Sequence, residues 1–175
     1  MPPSDDLAIG VDHIAALWAA LGHRFREPAL LERALTHASY AHEHPPTPHN
    51  ETLAFLGDAV LGLVVAELLS ARAPEAGVGS LTAERARLVS AKNLASWAMR
   101  LDLPARLRLG RGEALGGGAA KESILATTFE AVIGALYVEA GLGSVGGVVS
   151  RLVGGFEDRE PSETGRDVEA APGSC

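Results

Sequence analysis

Cysteine is almost missing from this chain. The one thiol, Cys175, has no partner within the sequence, so an intrachain disulfide is excluded and nothing points to an oxidising compartment; a cytoplasmic setting is expected. Aromatic residues are scarce at 5%, which leaves few rings to stack on unpaired bases and disfavours a single-strand nucleic-acid binder built on Phe, Tyr and Trp. Long apolar runs are lacking too. The longest, Ala59 to Ala66, is soon followed by Glu67 and is too short to span a bilayer, so no membrane partner is expected. The opening Met1-Pro2-Pro3-Ser4-Asp5-Asp6 has no basic segment and does not read as a signal peptide. Strand-like alternation is nearly absent, and positive charge is outweighed, the formal net charge being -7.

What is present is helical spacing in a chain of 175 residues with 47% hydrophobic content, enough for one globular domain with its own core. Ile14, Leu17, Trp18 and Leu21 recur at i, i+3, i+4 and i+7 before Gly22, which is suited to stop a helix. Pro28 suits a first helical turn, with Leu30, Leu31 and Leu35 behind it. The prolines between His42 and His49 predict a loop, and Asn50 an N-cap for a helix reaching about Ser70. Ser80 or Thr82 is expected to cap a helix through about Met99, followed by a short crossing segment (103–109) and a glycine-rich loop (110–118). Ile124, Leu125, Phe129, Val132, Ile133 and Leu136 line one face of a last strong helix, Glu122 to Ala140, with a further helix expected over 145–156. The pattern is that of an all-α bundle over residues 11–156, with an extension at 1–10 and an acidic tail at 157–175 expected to be disordered.

Charge is uneven along that bundle. Between Leu81 and Lys121, Arg85, Arg87, Lys92, Arg100, Arg106, Arg108, Arg111 and Lys121 face only Glu84, Asp102 and Glu113, a local excess of +5. Such a stripe suits a polyanion, although an ordinary solvated helix face has the same composition.

The most informative block is His49-Asn50-Glu51-Thr52-Leu53-Ala54-Phe55-Leu56-Gly57-Asp58-Ala59-Val60-Leu61-Gly62. It resembles the signature helix of the ribonuclease III family. Further stretches resemble that family in the same order: Leu21-Gly22-His23-Arg24-Phe25, Ala34-Leu35-Thr36-His37-Ala38-Ser39-Tyr40, Leu107-Arg108-Leu109-Gly110-Arg111-Gly112-Glu113, and Lys121-Glu122-Ser123-Ile124-Leu125-Ala126 with Glu130-Ala131-Val132-Ile133-Gly134-Ala135. The resemblance covers about residues 11–156 and implies the family's endonuclease domain, a helical homodimer that hydrolyses double-stranded RNA with magnesium, or manganese in its place. It further implies four acidic metal-ligand positions, an i, i+4 pair in the signature helix and an i, i+3 pair in the last helix, each projecting from one helix face. Here they read Ala54, Asp58, Thr127 and Glu130, and a fifth acidic position of the family is Val78.

Asp58 and Glu130 are therefore the candidate catalytic and metal-binding residues, in a site weakened by Ala54 and Thr127. An acid inside an apolar helix is hard to explain by structure alone. Glu51 and Lys121 are accessory candidates, with plain readings as a first-turn carboxylate favouring the helix dipole and a solvent-facing lysine. Thr127 and Thr128 offer neutral oxygens. His37 reads as a hydrogen-bonded structural group, and a zinc site at His42, His44 and His49 is the less favoured reading of that loop. No segment resembling the family's separate double-stranded RNA-binding domain follows, so RNA contact is expected at Arg108, Arg111 and Lys121. Three readings stay open: an RNA-binding dimer with feeble or no cleavage, including a ribosome-associated factor; a working endoribonuclease with a rearranged site; and a non-catalytic partner of an intact paralogue.

Overall fold

The computed structural model describes residues 11–157; the expectations for 1–10 and for the tail beyond 157 lie outside the described residues. The elements, in order, are α1 (Val11–Leu21), α2 (Pro28–Ala34), α3 (Ala38–Glu43), α4 (Glu51–Arg72), α5 (Val78–Leu88), α6 (Ala91–Arg100), α7 (Arg111–Leu115) and α8 (Glu122–Glu157), with 3-10 turns at Pro104–Arg106 and Gly118–Ala120. No β-strand occurs among the described residues; a lone parallel bridge joins Thr36 to Arg108. The fold is all-α.

Gly22 ends α1 at φ 65°, and Pro28 opens α2 at a position where its missing N–H costs nothing. Three boundaries and the chemistry of one cap differ from the sequence expectation. Asn50 is not a side-chain cap: it has helical dihedrals, its backbone N–H donates to the Thr36 carbonyl at 3.0 Å, and its buried amide has no side-chain hydrogen bond. The helix expected to run to Met99 breaks after Leu88, where Ser90 caps α6 by accepting from the Asn93 N–H at 3.3 Å. The glycine-rich loop contains α7, whose first N–H, on Arg111, donates to Glu43 at 2.9 and 3.1 Å. The last two expected helices are joined as α8, kinked at Gly141, whose φ of 75° a side chain would resist.

Helices α4 and α8 form the centre of the core, with α6 packed on α8 through Trp97 and Phe129, both fully buried, their rings 5.6 Å apart. By length and composition α4 and the Glu122–Gly154 part of α8 are apolar enough to cross a membrane; in this fold they pack on each other. Their approach is set by two glycines. A Cβ at Gly57 would lie 1.8 Å from the Glu130 carbonyl oxygen, and one at Gly134 would lie 2.1 Å from that of Leu53, so only glycine lets the two backbones touch there.

Candidate active site

The glycine crossing determines which side chains meet. Asp58 follows Gly57 on α4, and Glu130, whose own carbonyl abuts Gly57, sits four residues before Gly134 on α8. Asp58 is exposed and Glu130 half-buried. Burial first, and then the negative charge of Asp58, push the Glu130 carboxyl up from 4.5 to about 7. A half-buried carboxyl whose ionisation is opposed by a neighbouring acid is an arrangement that a cation would relieve.

One turn before Asp58 stands Ala54, buried at 5% exposure, and one turn before Glu130 stands half-buried Thr127. Both are therefore on the faces from which the two acids project. Thr128 is excluded as a ligand, because it is fully buried and its hydroxyl donates to the Ile124 carbonyl at 2.7 Å. Glu51 belongs to the first turn of α4, exposed and 3.6 Å from His49 Nδ1; seven residues of helix rise separate it from Asp58 by about 10 Å. Val78 is exposed at the start of α5. Among the described residues no three His, Cys, Asp or Glu side chains converge to hold a metal, which leaves the zinc reading of the histidine loop without a ligand set. Asp58 and Glu130 alone suit a hard cation that retains most of its water.

The basic segment is less of a stripe than its charge suggests. Arg106 is buried, with Nη1 2.8 Å from Asp102 Oδ2; Arg87 pairs with Glu84, and Arg100 Nη1 donates to the Leu152 carbonyl at 2.8 Å. Arg108 lies over the Tyr40 ring, 4.3 Å from its centroid, and donates to the Tyr40 hydroxyl at 2.9 Å. Lys121 donates to Glu113, whose carboxyl is held below its usual range chiefly by that bond. Arg111 is exposed. His37 caps α3, its Nδ1 accepting from the Ser39 N–H at 3.2 Å, a structural role. The sequence reading missed Glu43 and Ser39. These two hold the 107–111 segment in place, Ser39 Oγ accepting from the Gly110 N–H at 2.9 Å, and neither carries a local signal for a contact so distant in sequence.

An all-helical fold that brings two acids together across a pair of glycines defines a class of carboxylate-bearing helical domains. The chain belongs to the ribonuclease III-like family, whose family model matches residues 27–154. It is 50% identical over 122 residues to Ribonuclease 3 of Bdellovibrio bacteriovorus, covering 69% of this chain and 52% of that protein. It is 46% identical over 155 residues to Ribonuclease 3 of Albidiferax ferrireducens, covering 88% and 66%. The chain thus spans between half and two thirds of the length of these curated relatives. A crystal structure of the nuclease domain of ribonuclease III from Campylobacter jejuni matches with a TM-score of 0.76 at 36% identity, over 85% of this chain and 98% of that one. A second structure of that domain, described for flexibility in a region involved in dimer formation, matches with a TM-score of 0.74 at 38% identity, over 80% of this chain and 95% of that one.

Proposed function

We propose that this chain is a ribonuclease III-type domain that engages double-stranded or structured RNA in RNA processing, and that its own magnesium-dependent phosphodiester hydrolysis is weakened or lost. The observation that carries the reading is the pair Asp58 and Glu130 standing one turn from Ala54 and Thr127. Two carboxylates fit a magnesium or manganese ion that keeps several waters and takes further oxygens from the RNA phosphate. When bound, such an ion lowers the pKa of its water and neutralises charge on the phosphate. Loss of two direct ligands costs at least the ~10 to 100-fold typical of losing an outer partner. Arg111, with Arg108 and Lys121, contacts the RNA backbone; since Lys121 already has Glu113, binding is weak and salt-sensitive. A homodimer through the face of α4 that exposes Phe55 at 83% belongs to the same reading, as does a cytoplasmic setting.

The test is cleavage of duplex RNA with magnesium or manganese by the natural chain and by the double variant Ala54→Glu with Thr127→Asp. Cutting rises by orders of magnitude in the double variant, by more than the two single changes combined, and Asp58→Asn or Glu130→Gln abolishes the gain. Brisk cutting by the natural chain, unimproved by the double change, would overturn the weakened-site reading in favour of a rearranged endoribonuclease.

A further inference from the structure

Four of the six histidines fall within residues 37–49: the sequence expectation of a loop from His42 holds only after Glu43, so His42 sits in the last turn of α3 while His44 and His49 lie in the loop that follows, and the carboxylate pair uses none of the three. The loop is firmly anchored. The His44 ring stacks on Tyr40 with centroids 4.1 Å apart and planes 16° apart, and its Nδ1 donates to the Tyr40 carbonyl at 3.0 Å. Arg108 covers Tyr40 in turn. The His44 carbonyl accepts from the Thr47 N–H at 3.0 Å and from the Thr47 hydroxyl, and the His49 carbonyl accepts from Arg33 Nε at 3.0 Å. Within this frame is an open pocket of about 310 Å³, lined by Ala41, His42, Pro45, Pro46, Thr47 and His49.

The lining narrows the ligand chemistry. It holds no lysine or arginine to meet a phosphate, no carboxylate to meet a cation, and no large aliphatic side chain to meet a lipid tail. It offers flat imidazole and pyrrolidine faces with polar edges: each neutral imidazole carries one donor and one acceptor nitrogen, and the Thr47 hydroxyl keeps its acceptor capacity. His49 Nδ1 is buried without a hydrogen-bond partner, Glu51 Oε2 standing off at 3.6 Å. Ring faces with hydrogen-bonding edges match a planar heterocycle of nucleobase kind, since splayed-out bases are recognised by stacking on rings, histidine included, and by hydrogen bonds to their edges.

We infer that this pocket is a subsite for one unpaired nucleobase extruded from a bulge in the RNA, an inference that rests on the RNA-binding reading above. It adds a shape requirement to a duplex contact that is otherwise independent of sequence. Because the anchoring contacts exist without RNA, little ordering accompanies binding.

The test is fluorescence anisotropy at low salt with two labelled hairpins, one fully paired and one carrying a single-nucleotide bulge, against the natural chain and His42→Ala. His42 is exposed, so the variant keeps its fold, which its melting temperature checks. The bulged hairpin binds about tenfold more tightly than the paired one, and His42→Ala removes that preference while leaving affinity for the paired hairpin unchanged. Equal affinities for the two hairpins, or a preference that survives His42→Ala, overturn the subsite while leaving the RNA reading in place. Failure of both hairpins to bind overturns the RNA reading. In that case NMR titration of the His42 ring with AMP, with UMP and with inorganic phosphate decides the pocket alone. Shifts with both nucleotides and none with phosphate support a base site; equal shifts with phosphate, or no shift with any of the three, sink it.

Discussion

A methyl group at position 57 has nowhere to go, because the atom it meets is backbone, the Glu130 carbonyl oxygen at 1.8 Å. Gly57→Ala is therefore expected to force α4 and α8 apart and to cost about 1–3 kcal/mol, read as a lowered denaturant midpoint. An unchanged midpoint would mean that the crossing yields easily. Glu130 gives a second prediction. With its carboxyl pushed up to about 7 by burial and by Asp58, the folded chain keeps a proton that the unfolded chain releases near 4.5, so stability falls as pH rises through that window. The melting temperature drops from pH 5 to pH 8, Glu130→Gln removes this part of the drop, and millimolar magnesium recovers some of it at pH 8. A variant profile identical to the natural one would contradict the burial-and-repulsion account. Both acids were legible in the sequence, since a carboxylate in an apolar helix asks for a reason. The engagement of Arg108 by Tyr40 and of Lys121 by Glu113 was not, because charge counting assigns every cation to the surface.

At the scale of elements, existence was more legible than boundaries. Apolar spacing gave α1, α2, α4 and the first part of α8. The break between α5 and α6 escaped because apolar residues continue on both sides of it, Leu88 before and Leu94 after. What makes the break is local: Ser90 Oγ accepts from the Asn93 N–H, and Asn93 Nδ2 donates back to the Leu88 carbonyl at 2.6 Å. Ser90→Ala is thus expected to destabilise the chain by about 1 kcal/mol, with Ser90→Asp close to neutral because it also caps. Thermal denaturation of the two variants side by side checks this, and equal losses would point to a role for Ser90 other than capping. Helix α7 was hidden for a different reason. Its N-terminus is satisfied by Glu43, 68 residues earlier, and a helix of only five residues, set between Gly110 and Gly116, would not hold without it.

For the whole molecule, the face of α4 opposite the core carries Phe55 at 83% and Leu63 at 50% exposure, a poor match for bulk water and a good one for a second copy in the proposed dimer. Phe55→Glu is expected to convert the dimer to monomer without a loss of helicity, as followed by sedimentation and circular dichroism. A natural chain that sediments as a monomer at micromolar concentration would count against the dimer. The all-α architecture was readable because helical periodicity and the order of motifs agree over most of the chain. The basic stripe was overstated, since Arg106 is internal and Arg87 is paired.

The two helices that carry the acids are held together by glycine against backbone, and no carboxylate takes part in that contact. Scaffold and chemistry are consequently separable here. On the function proposed above, acids can be lost from or returned to positions 54, 58, 127 and 130 one at a time while the crossing persists, so point substitution alone would convert between cutting RNA and merely holding it, in either direction, without refolding.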